Sequence, residues 1–438
     1  MAPAAAYAAE LTLTNFDRQG ATLTVTADVP ESQIFYNGLL PHNPIRDNYK
    51  AGVYLKGPIE GKSLNISVTG GSTVASDGSA WPPYNQLMLM GNFQGVSSSD
   101  YNSLINGEVD TNKYSTSASG GVLNLTLEEG AKIYSVLYGG RNDLVGTDPA
   151  LGGNPNIGDS CGNIVNITLK KGSTLGSTLI FGGRSGQGEG ATADTNGNPY
   201  NVNLKKGYRT DNNTVIIKGE KLADNEITVA NRNMNFPAGG IFGAEGWQAN
   251  NNYVSLQYAY IQSAGQATRK FGIVGGRGVY NFRIYDGENS AIANNNIVVI
   301  KDSAIGTFGG PGMSVMGGYS YGQAKNNIVV MENTKINGHV YGGLELFGMT
   351  EASPDHRRQL HSNLVSLHNV ELIGNSSIYG TATADSKTWS QAVADGDRNS
   401  SEKMGWFGWA SVDEQSIKAV NRRRGIAHIG GQVKAGSA

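Results

Sequence analysis

The stretch that decides the fold begins Asn296-Ile-Val298-Val-Ile300, passes through a turn, and closes on Met316-Gly317-Gly318. A second copy follows at once, from Asn327-Ile-Val329-Val-Met331 to Tyr341-Gly342-Gly343. Such self-similarity is the signature of a solenoid, an array or a propeller. The first half of the phrase also begins at Asn163, Asn213, Asn252 and Asn363, and the Gly-Gly half recurs at Gly139-Gly140, Gly182-Gly183 and Gly275-Gly276.

Each Asn-x-Val-x-apolar phrase has the period of a β-strand, so that Val298 and Ile300 point to the same face. Turn residues such as Lys301-Asp302-Ser303 follow. A unit with one apolar face is stable only when neighbours stack on it. The starts at 163, 213, 252, 296, 327 and 363 are unevenly spaced, which disfavours a ring of equal blades. The sequence therefore predicts an all-β fold, a parallel β-helix with loop excursions and terminal caps.

The Asn and Gly residues of the phrase have expected structural roles. Asn tolerates left-handed backbone angles, and Asn side chains at one corner of successive rungs can form a hydrogen-bonded ladder. Gly-Gly is expected at corners, where it supplies a positive φ or admits another backbone at close range. Both residue types are therefore interpreted as scaffold and not as ligand-binding groups.

Composition narrows the class of protein. The chain of 438 residues exceeds the size at which a single core stops growing, about 250–300 residues, whereas a solenoid grows along one direction. The 34 basic and 36 acidic side chains nearly balance, which gives no electrostatic reason to expect nucleic acid or an anionic membrane as partner. No run of about 18 apolar residues is present, so no membrane-spanning helix is predicted. Cys161 is the one cysteine, and with no His beside it we expect a structural thiol.

The phrase from Gly317-Gly318 through Asn326-Asn327 to Tyr341-Gly342-Gly343 resembles the repeats of secreted passenger domains of monomeric autotransporters from Gram-negative bacteria. The resemblance extends over about residues 120–380. It implies a right-handed parallel β-helix that passes through a translocator barrel in the outer membrane and is displayed at the cell surface. No succession of alternating strands of about ten residues follows residue 385, so the chain would be a passenger or part of one.

The amino terminus supports export. Ala6-Tyr7-Ala8 has the small-x-small pattern that precedes a signal-peptidase cut, although an Ala-rich leader without meaning is the alternative. We expect residues 1–10 to be the remnant of an export signal and residues 11–64 an amino-terminal cap with the first rungs. Residues 65–384 would form the β-helix, with surface excursions at 81–114, 186–203 and 348–361, and residues 385–438 a cap or a junction.

No catalytic constellation is recognised. Gly183-Arg-Ser185-Gly-Gln falls short of a nucleophile elbow, and Gly158-Asp159-Ser160-Cys161, the one Gly-Asp-Ser block, lies beside a rung. The spacing of His356, His361 and His368 matches no zinc signature. No catalytic residue, cofactor or metal ligand is therefore predicted. Asp286 and Glu288, Glu345 and Glu351, and Asp395 and Asp397 do not recur on one face and are interpreted as solvated loop charges.

The sequence predicts a non-enzymatic adhesin that is secreted or displayed on the bacterial surface. Its partner would be a host cell-surface protein or glycan, or a further copy of the chain. A carbohydrate-active β-helix enzyme, a polysaccharide lyase or glycosidase, is the alternative, and a structural stalk is a third possibility. Aromatic side chains expected in loops or beyond the last rung could contact a ligand or pack a cap: Trp81, Tyr84, Trp247, Tyr319, Tyr321, Trp389, Trp406 and Trp409.

Overall fold

The predicted parallel β-solenoid is confirmed by a computed structural model of the chain, in which no described residue is in an α-helix. The structure describes the following residues, and every statement below concerns these alone: 7–14, 24–27, 34–35, 52–55, 62–74, 87–94, 117–142, 159–176, 179–185, 209–236, 240–263, 272–278, 291–310, 312–320, 322–347, 362–385, 418–419, 425–430 and 434–435.

The amino-terminal strands begin the solenoid and include its first antiparallel pairs. β1 pairs with β5 in parallel and with β2 in antiparallel orientation, and β3 pairs antiparallel with β4. These strands are β1 (Tyr7–Thr14), β2 (Thr24–Ala27), β3 (Ile34–Phe35), β4 (Gly52–Leu55), β5 (Lys62–Val68), β6 (Thr73–Val74) and β7 (Leu87–Gln94).

The middle of the chain builds the regular rungs. Two short 3-10 turns, Asp224–Glu226 and Val229–Asn231, interrupt this part. Its strands are β8 (Val122–Leu127), β9 (Lys132–Asn142), β10 (Ile164–Leu169), β11 (Thr174–Gly176), β12 (Leu179–Ser185), β13 (Thr214–Lys218), β14 (Met234–Phe236), β15 (Gly240–Gly246), β16 (Tyr253–Gln257), β17 (Tyr260–Ser263) and β18 (Ile273–Gly278).

The carboxy-terminal part continues the same pattern beyond residue 385, because β27 pairs in parallel with β24. β25 and β26 form the remaining antiparallel pair. The strands are β19 (Ile297–Lys301), β20 (Ala304–Ile305), β21 (Val315–Ser320), β22 (Ile328–Asn337), β23 (Val340–Phe347), β24 (Asn363–Ile373), β25 (Ile378–Asp385), β26 (Lys418–Ala419), β27 (Gly425–Gly430) and β28 (Lys434–Ala435).

Three parallel stacks line the solenoid. The Asn-x-Val strands pair in the order β5, β8, β10, β13, β16, β19, β22, β24 and β27, and are called the first stack. The Gly-Gly strands pair in the order β7, β9, β12, β15, β18, β21, β23 and β25, and are called the second stack. Short segments such as β11, β14, β17 and β20 form the third.

The core consists of columns of equivalent side chains, one from each rung. Val165, Val215, Val254, Val298 and Val329 are in register and fully buried. Because parallel strands lie about 4.8 Å apart, each valine packs directly on the next. The repeated Val of the sequence phrase is therefore the unit of core packing.

Two sequence expectations require adjustment at the ends of the solenoid. β1 begins at Tyr7, so residues 7–10 of the expected leader are paired with β5. The excursion expected at 81–114 is interrupted by β7, whose Leu89 and Met90 are buried, so that part of the expectation was wrong. Residues 186–203 and 348–361 lie outside the described part of the chain.

Candidate functional site

The polar groups of the solenoid concentrate at the corner where a second-stack strand returns to the first stack. Here the first Asn of each phrase is buried, and its side-chain Nδ2 donates to Oδ1 of the equivalent Asn one rung later. The predicted Asn ladder is thus confirmed. Between consecutive residues of the series Asn163, Asn213, Asn252, Asn296, Asn327 and Asn363, the Nδ2 to Oδ1 distances are 2.9, 3.1, 2.9, 3.0 and 3.1 Å in that order.

The Gly-Gly pairs lie opposite this ladder and inside the second-stack strands, so the expectation that they form corners was wrong. Neither Gly182 nor Gly183 is among the glycines with positive φ. A Cβ on Gly182 would lie 2.3 Å from the carbonyl oxygen of Gly243, and one on Gly183 would lie 2.5 Å from Nδ2 of Asn213. The pair is required because backbone and ladder approach too closely for any side chain.

One rung holds the same two residue types in exchanged positions. Asn92 aligns with Gly140 in the second stack, and the backbone N–H of Gly121 bonds Oδ1 of Asn163 at the start of the ladder. A Cβ on Gly121 would lie 2.7 Å from Cβ of Asn92. The corner of this rung therefore accommodates one Asn side chain, supplied here by the second stack instead of the first.

A second polar column precedes the ladder and has the opposite hydrogen-bond direction. In it a backbone N–H donates to the side chain of the equivalent residue one rung earlier, whereas in the Asn ladder the donors lie on the earlier rung. Because the two columns run in opposite directions, their dipoles oppose each other. The side chains that accept are, in order, Ser119, Cys161, Asp211, Asn250 and Asn294. Each accepts from the backbone N–H of the next residue in this series, and the last one, Asn294, accepts from the backbone N–H of Lys325.

Cys161 belongs to this structural column. Its Sγ accepts a hydrogen bond from the backbone N–H of Asp211 at 3.3 Å. In the preceding rung the hydroxyl of Ser119 has the same role and accepts from the backbone N–H of Cys161. Burial raises the pKa of Cys161 to about 11, and the carboxylates of Asp211 and Asp159 add to the shift. The neutral thiol is the favoured form, which agrees with the predicted structural role.

The Gly-Asp-Ser block is also absorbed into the corner. Ser160 is fully buried, and its hydroxyl donates to the carbonyl of Ala118 at 3.3 Å. Asp159 instead accepts two hydrogen bonds from the Arg209 guanidinium, at 2.9 and 3.1 Å. This ion pair lies at the surface, where the Arg209 side chain is 60% exposed.

A buried row of charged side chains, which the sequence analysis did not predict, follows the Gly-Gly pairs in the second stack and, in β15, the pair Gly243-Ala244. Arg141, Arg184, Glu245 and Arg277 are in register on successive strands. Glu245 joins two of them, through Oε1 to Arg184 at 3.1 Å and through Oε2 to Arg277 at 2.6 Å. None of these three side chains is more than 4% exposed. This row is called the buried charge row.

Aromatic rings support the buried charge row. Tyr138, Phe181 and Phe242 stack on one another with centroid distances of 5.4 and 4.9 Å. The Arg277 guanidinium lies 5.8 Å from the Phe242 ring and 5.5 Å from the Tyr319 ring. Such cation–π contacts lower the cost of burying an arginine. The rings therefore offset part of the cost of burying the row.

Five long connections of the chain begin and end at this corner. In the β15 rung a single residue, Trp247, separates β15 from the bridge-forming Gln248, and in the β21 rung two residues join Ser320 to Gln323. In other rungs the chain leaves the described structure at this point and re-enters it at the next polar column. The segments concerned are 95–116, 143–158, 186–208, 279–290 and 348–361.

The aromatic residues proposed as ligand contacts are not brought together. Trp247 is 1% exposed and Tyr319 is fully buried within β21, so their expected placement in surface loops was wrong. Tyr319 is buried because it packs on the guanidinium of Arg277. The other six candidates lie outside the described residues: Trp81, Tyr84, Tyr321, Trp389, Trp406 and Trp409.

The acidic and imidazole groups within the described ranges form no metal-binding cluster, since no three His, Cys, Asp or Glu side chains converge there. Glu345 is buried, and one of its oxygens accepts from the backbone N–H of Ala324 at 2.9 Å, so it is not the solvated loop charge that was expected. Burial lowers the pKa of the nearby Lys325, against the influence of Glu345. No helix within these ranges is long and apolar enough to span a membrane.

Comparison of the chain with protein-family models, with curated proteins and with solved structures found no match.

Proposed function

We propose that the chain is the exported passenger part of a surface-displayed adhesin, and that its solenoid is the scaffold of a binding protein. The buried polar groups of the corner, the Asn ladder and the second polar column, are engaged in hydrogen bonds between rungs. The buried charge row is likewise occupied by its own ion pairs. These groups are committed to the fold, so we assign recognition to other parts of the chain.

The observation that carries the proposal is the placement of the long connections. The described residues that flank five of them lie at one corner, between a second-stack strand and the polar columns. Since the rungs stack in a row, these flanking residues follow the long axis of the solenoid. Insertions on one face of a repeat protein are commonly the binding elements. Export is supported by the repeat phrase, which resembles the repeats of secreted passenger domains, and a host surface protein or glycan is the proposed partner.

Binding of the fluorescently labelled chain to cultured host cells tests this function. We expect saturable binding that unlabelled chain displaces, with no release of reducing sugars or unsaturated products from a panel of polysaccharides. Turnover of a polysaccharide would instead identify a carbohydrate-active enzyme. Absence of binding to cells, glycans and surface proteins alike would identify a structural stalk.

A further inference from the structure

The end of β22 holds an Asn-Gly pair at a point where two rungs approach each other closely. Asn337 is the last residue of β22 and aligns with Ile373 of β24, so its backbone is extended. Its carbonyl oxygen accepts from the backbone N–H of Met313 at 2.7 Å. Gly338 follows, and a Cβ on it would lie 2.2 Å from the carbonyl oxygen of Met313. Glycine is therefore required at this position, because another backbone lies too close for a side chain.

Asn followed by Gly is a chemically reactive pair, because glycine has no side chain to shield its backbone nitrogen. That nitrogen can attack Cγ of the Asn side chain. A five-membered succinimide ring forms, and the side-chain amide leaves as ammonia together with the proton of the attacking nitrogen. Water then opens the ring at either of its carbonyl groups, which yields Asp or isoaspartate. The whole change consumes water, releases ammonia and involves no oxidation or reduction.

The hydroxyl of Ser376 engages the nitrogen that would react. The backbone N–H of Gly338 donates to Ser376 Oγ at 3.0 Å, and Ser376 Oγ in turn donates to the carbonyl of Ile373 at 2.6 Å. The proton of this nitrogen is therefore held in a hydrogen bond to the next rung. Ring closure also requires Cβ of Asn337 and the nitrogen of Gly338 to be nearly eclipsed about the Cα–C bond, which the extended backbone of a strand does not allow.

The side chain of Asn337 is confined as well. A Cβ on Gly312 would lie 3.2 Å from Cγ of Asn337, and a Cβ on Gly374 would lie 3.2 Å from its Oδ1. The amide thus packs against glycines of the rungs on either side. Asn337 is half-buried, so water can reach it. The reaction therefore requires the end of β22 to open locally, and its rate follows the population of that open state.

We propose that Asn337 is a site of spontaneous deamidation, and that the hydroxyl of Ser376 is the positioning group that keeps the Asn-Gly pair in an unreactive geometry. Isoaspartate at this point adds a methylene to the backbone and a negative charge. It shifts the register between Asn337 and Ile373 and disturbs the hydrogen bond from Met313. The proposal is independent of the proposed adhesion and uses different residues.

Peptide mapping by mass spectrometry of the full chain, incubated at mildly alkaline pH, tests the proposal. The folded wild type should convert Asn337 more slowly than the same chain in urea. S376A should raise the rate in the folded chain about two- to tenfold, which is the factor expected for the loss of a hydrogen bond. S376T keeps the hydroxyl and should convert Asn337 at the rate of the wild type.

S303A is the matched control. Ser303 Oγ accepts from the backbone N–H of Ala259 at 3.0 Å and donates to the carbonyl of Lys301 at 2.6 Å, so the variant loses the same two kinds of hydrogen bond at another turn. It should leave the rate at Asn337 unchanged. Three further Asn-Gly pairs lie outside the described residues and serve as internal references in every digest: Asn37-Gly38, Asn106-Gly107 and Asn196-Gly197.

An unchanged rate in S376A would overturn the proposal, as would conversion of Asn337 in the folded wild type as fast as in urea. It would also be overturned if S376T reacted like S376A, or if S303A raised the rate equally, since the hydroxyl at position 376 would then not be the cause. Far-UV circular dichroism verifies that each variant is folded. S376C, whose sulfur is a weaker acceptor, replaces S376A if that variant does not fold.

Discussion

Asn213 and Asn252 are joined twice across adjacent rungs: the backbone N–H of Asn213 donates to Oδ1 of Asn252 at 2.8 Å, and its side-chain Nδ2 donates to the same oxygen at 3.1 Å. Asn252 in turn donates to Asn296 in the same manner. Each ladder Asn is therefore acceptor and donor at once. This double role distinguishes Asn from an ionised Asp, which can only accept.

Asn252→Asp should destabilise the solenoid by about 3 kcal/mol or more, because the carboxylate is buried and can no longer donate to Oδ1 of Asn296. Asn251→Asp is the matched control. Asn251 is exposed and has φ of 57°, which Asp also tolerates, so its cost should stay below about 1 kcal/mol. Urea denaturation followed by circular dichroism measures both. Equal losses in the two variants would refute the special role of the ladder.

Gly182→Ala should destabilise by about 3 kcal/mol, because its Cβ would lie 2.3 Å from a backbone oxygen that cannot rotate away. Gly162 provides a contrast, since its φ is 64° and nothing lies within 4 Å of the added Cβ. Gly162→Asn should be nearly neutral because Asn212 has the equivalent conformation, with φ of 61°. A tolerated Gly182→Ala, as judged by thermal unfolding, would contradict the close-approach explanation.

Glu245→Gln should lower the free energy of unfolding by about 3–5 kcal/mol, because two buried guanidinium groups lose their shared carboxylate. Glu371→Gln is the control, since the pair of Glu371 with Lys335 is solvent-exposed and 3.3 Å long. Its loss should cost less than about 1 kcal/mol. Urea midpoints measure the difference, and a comparable effect of the two variants would show that the buried charge row contributes no more than a surface pair.

Cys161 should be alkylated by iodoacetamide at pH 8 about a hundredfold more slowly in the folded chain than in urea, because its pKa is raised from 9.0 to about 11. The folded state favours the protonated thiol. The contribution of the Cys161 thiol to stability is therefore fully present below its unfolded pKa of 9.0, and it is lost as the pH rises through its folded pKa of about 11. Cys161→Ser should remove this part of the pH dependence while keeping the hydrogen bond from Asp211. Rapid alkylation of the folded chain would contradict the raised pKa of the thiol.

The rung phrase was readable from the sequence because its parts are local. Asn296 and Val298 belong to one strand, so their period and their place after a turn identify the strand and predict the ladder. For Gly317-Gly318 the sequence indicated two possible roles, a positive φ at a corner or the close approach of another backbone, and could not distinguish them. Both roles require glycine, so they give the same sequence pattern. Which of the two applies depends on the distance to a strand one rung away, which the local sequence does not contain.

The buried charge row could not be predicted because its partners are far apart in sequence. Glu245 lies between Arg184 and Arg277 only after the rungs stack, and a charged residue beside Gly-Gly resembles a loop when it is read alone. Tyr319 was misplaced for the same reason, since its aromatic ring is buried by the guanidinium of another rung. Asn92 and Gly121 likewise form a compensating pair that is visible only in the folded corner.

We infer that the long connections at this corner are additions to a scaffold that closes without them. In the β21 rung a Tyr-Gly pair joins Ser320 to Gln323, and Ser320 Oγ accepts from the backbone N–H of Gly322 at 3.0 Å. Ser185 and Arg209 occupy the corresponding columns in the β12 rung. A variant in which Tyr-Gly replaces residues 186–208 should therefore be able to close this rung in the same way.

Thermal unfolding of this variant, followed by far-UV circular dichroism, is the most direct measurement. We expect a cooperative transition within a few degrees of the wild type, and weaker binding to cells than that of the wild type. Loss of the cooperative transition would contradict this inference, because it would show that the segment is part of the structure that holds the rungs together.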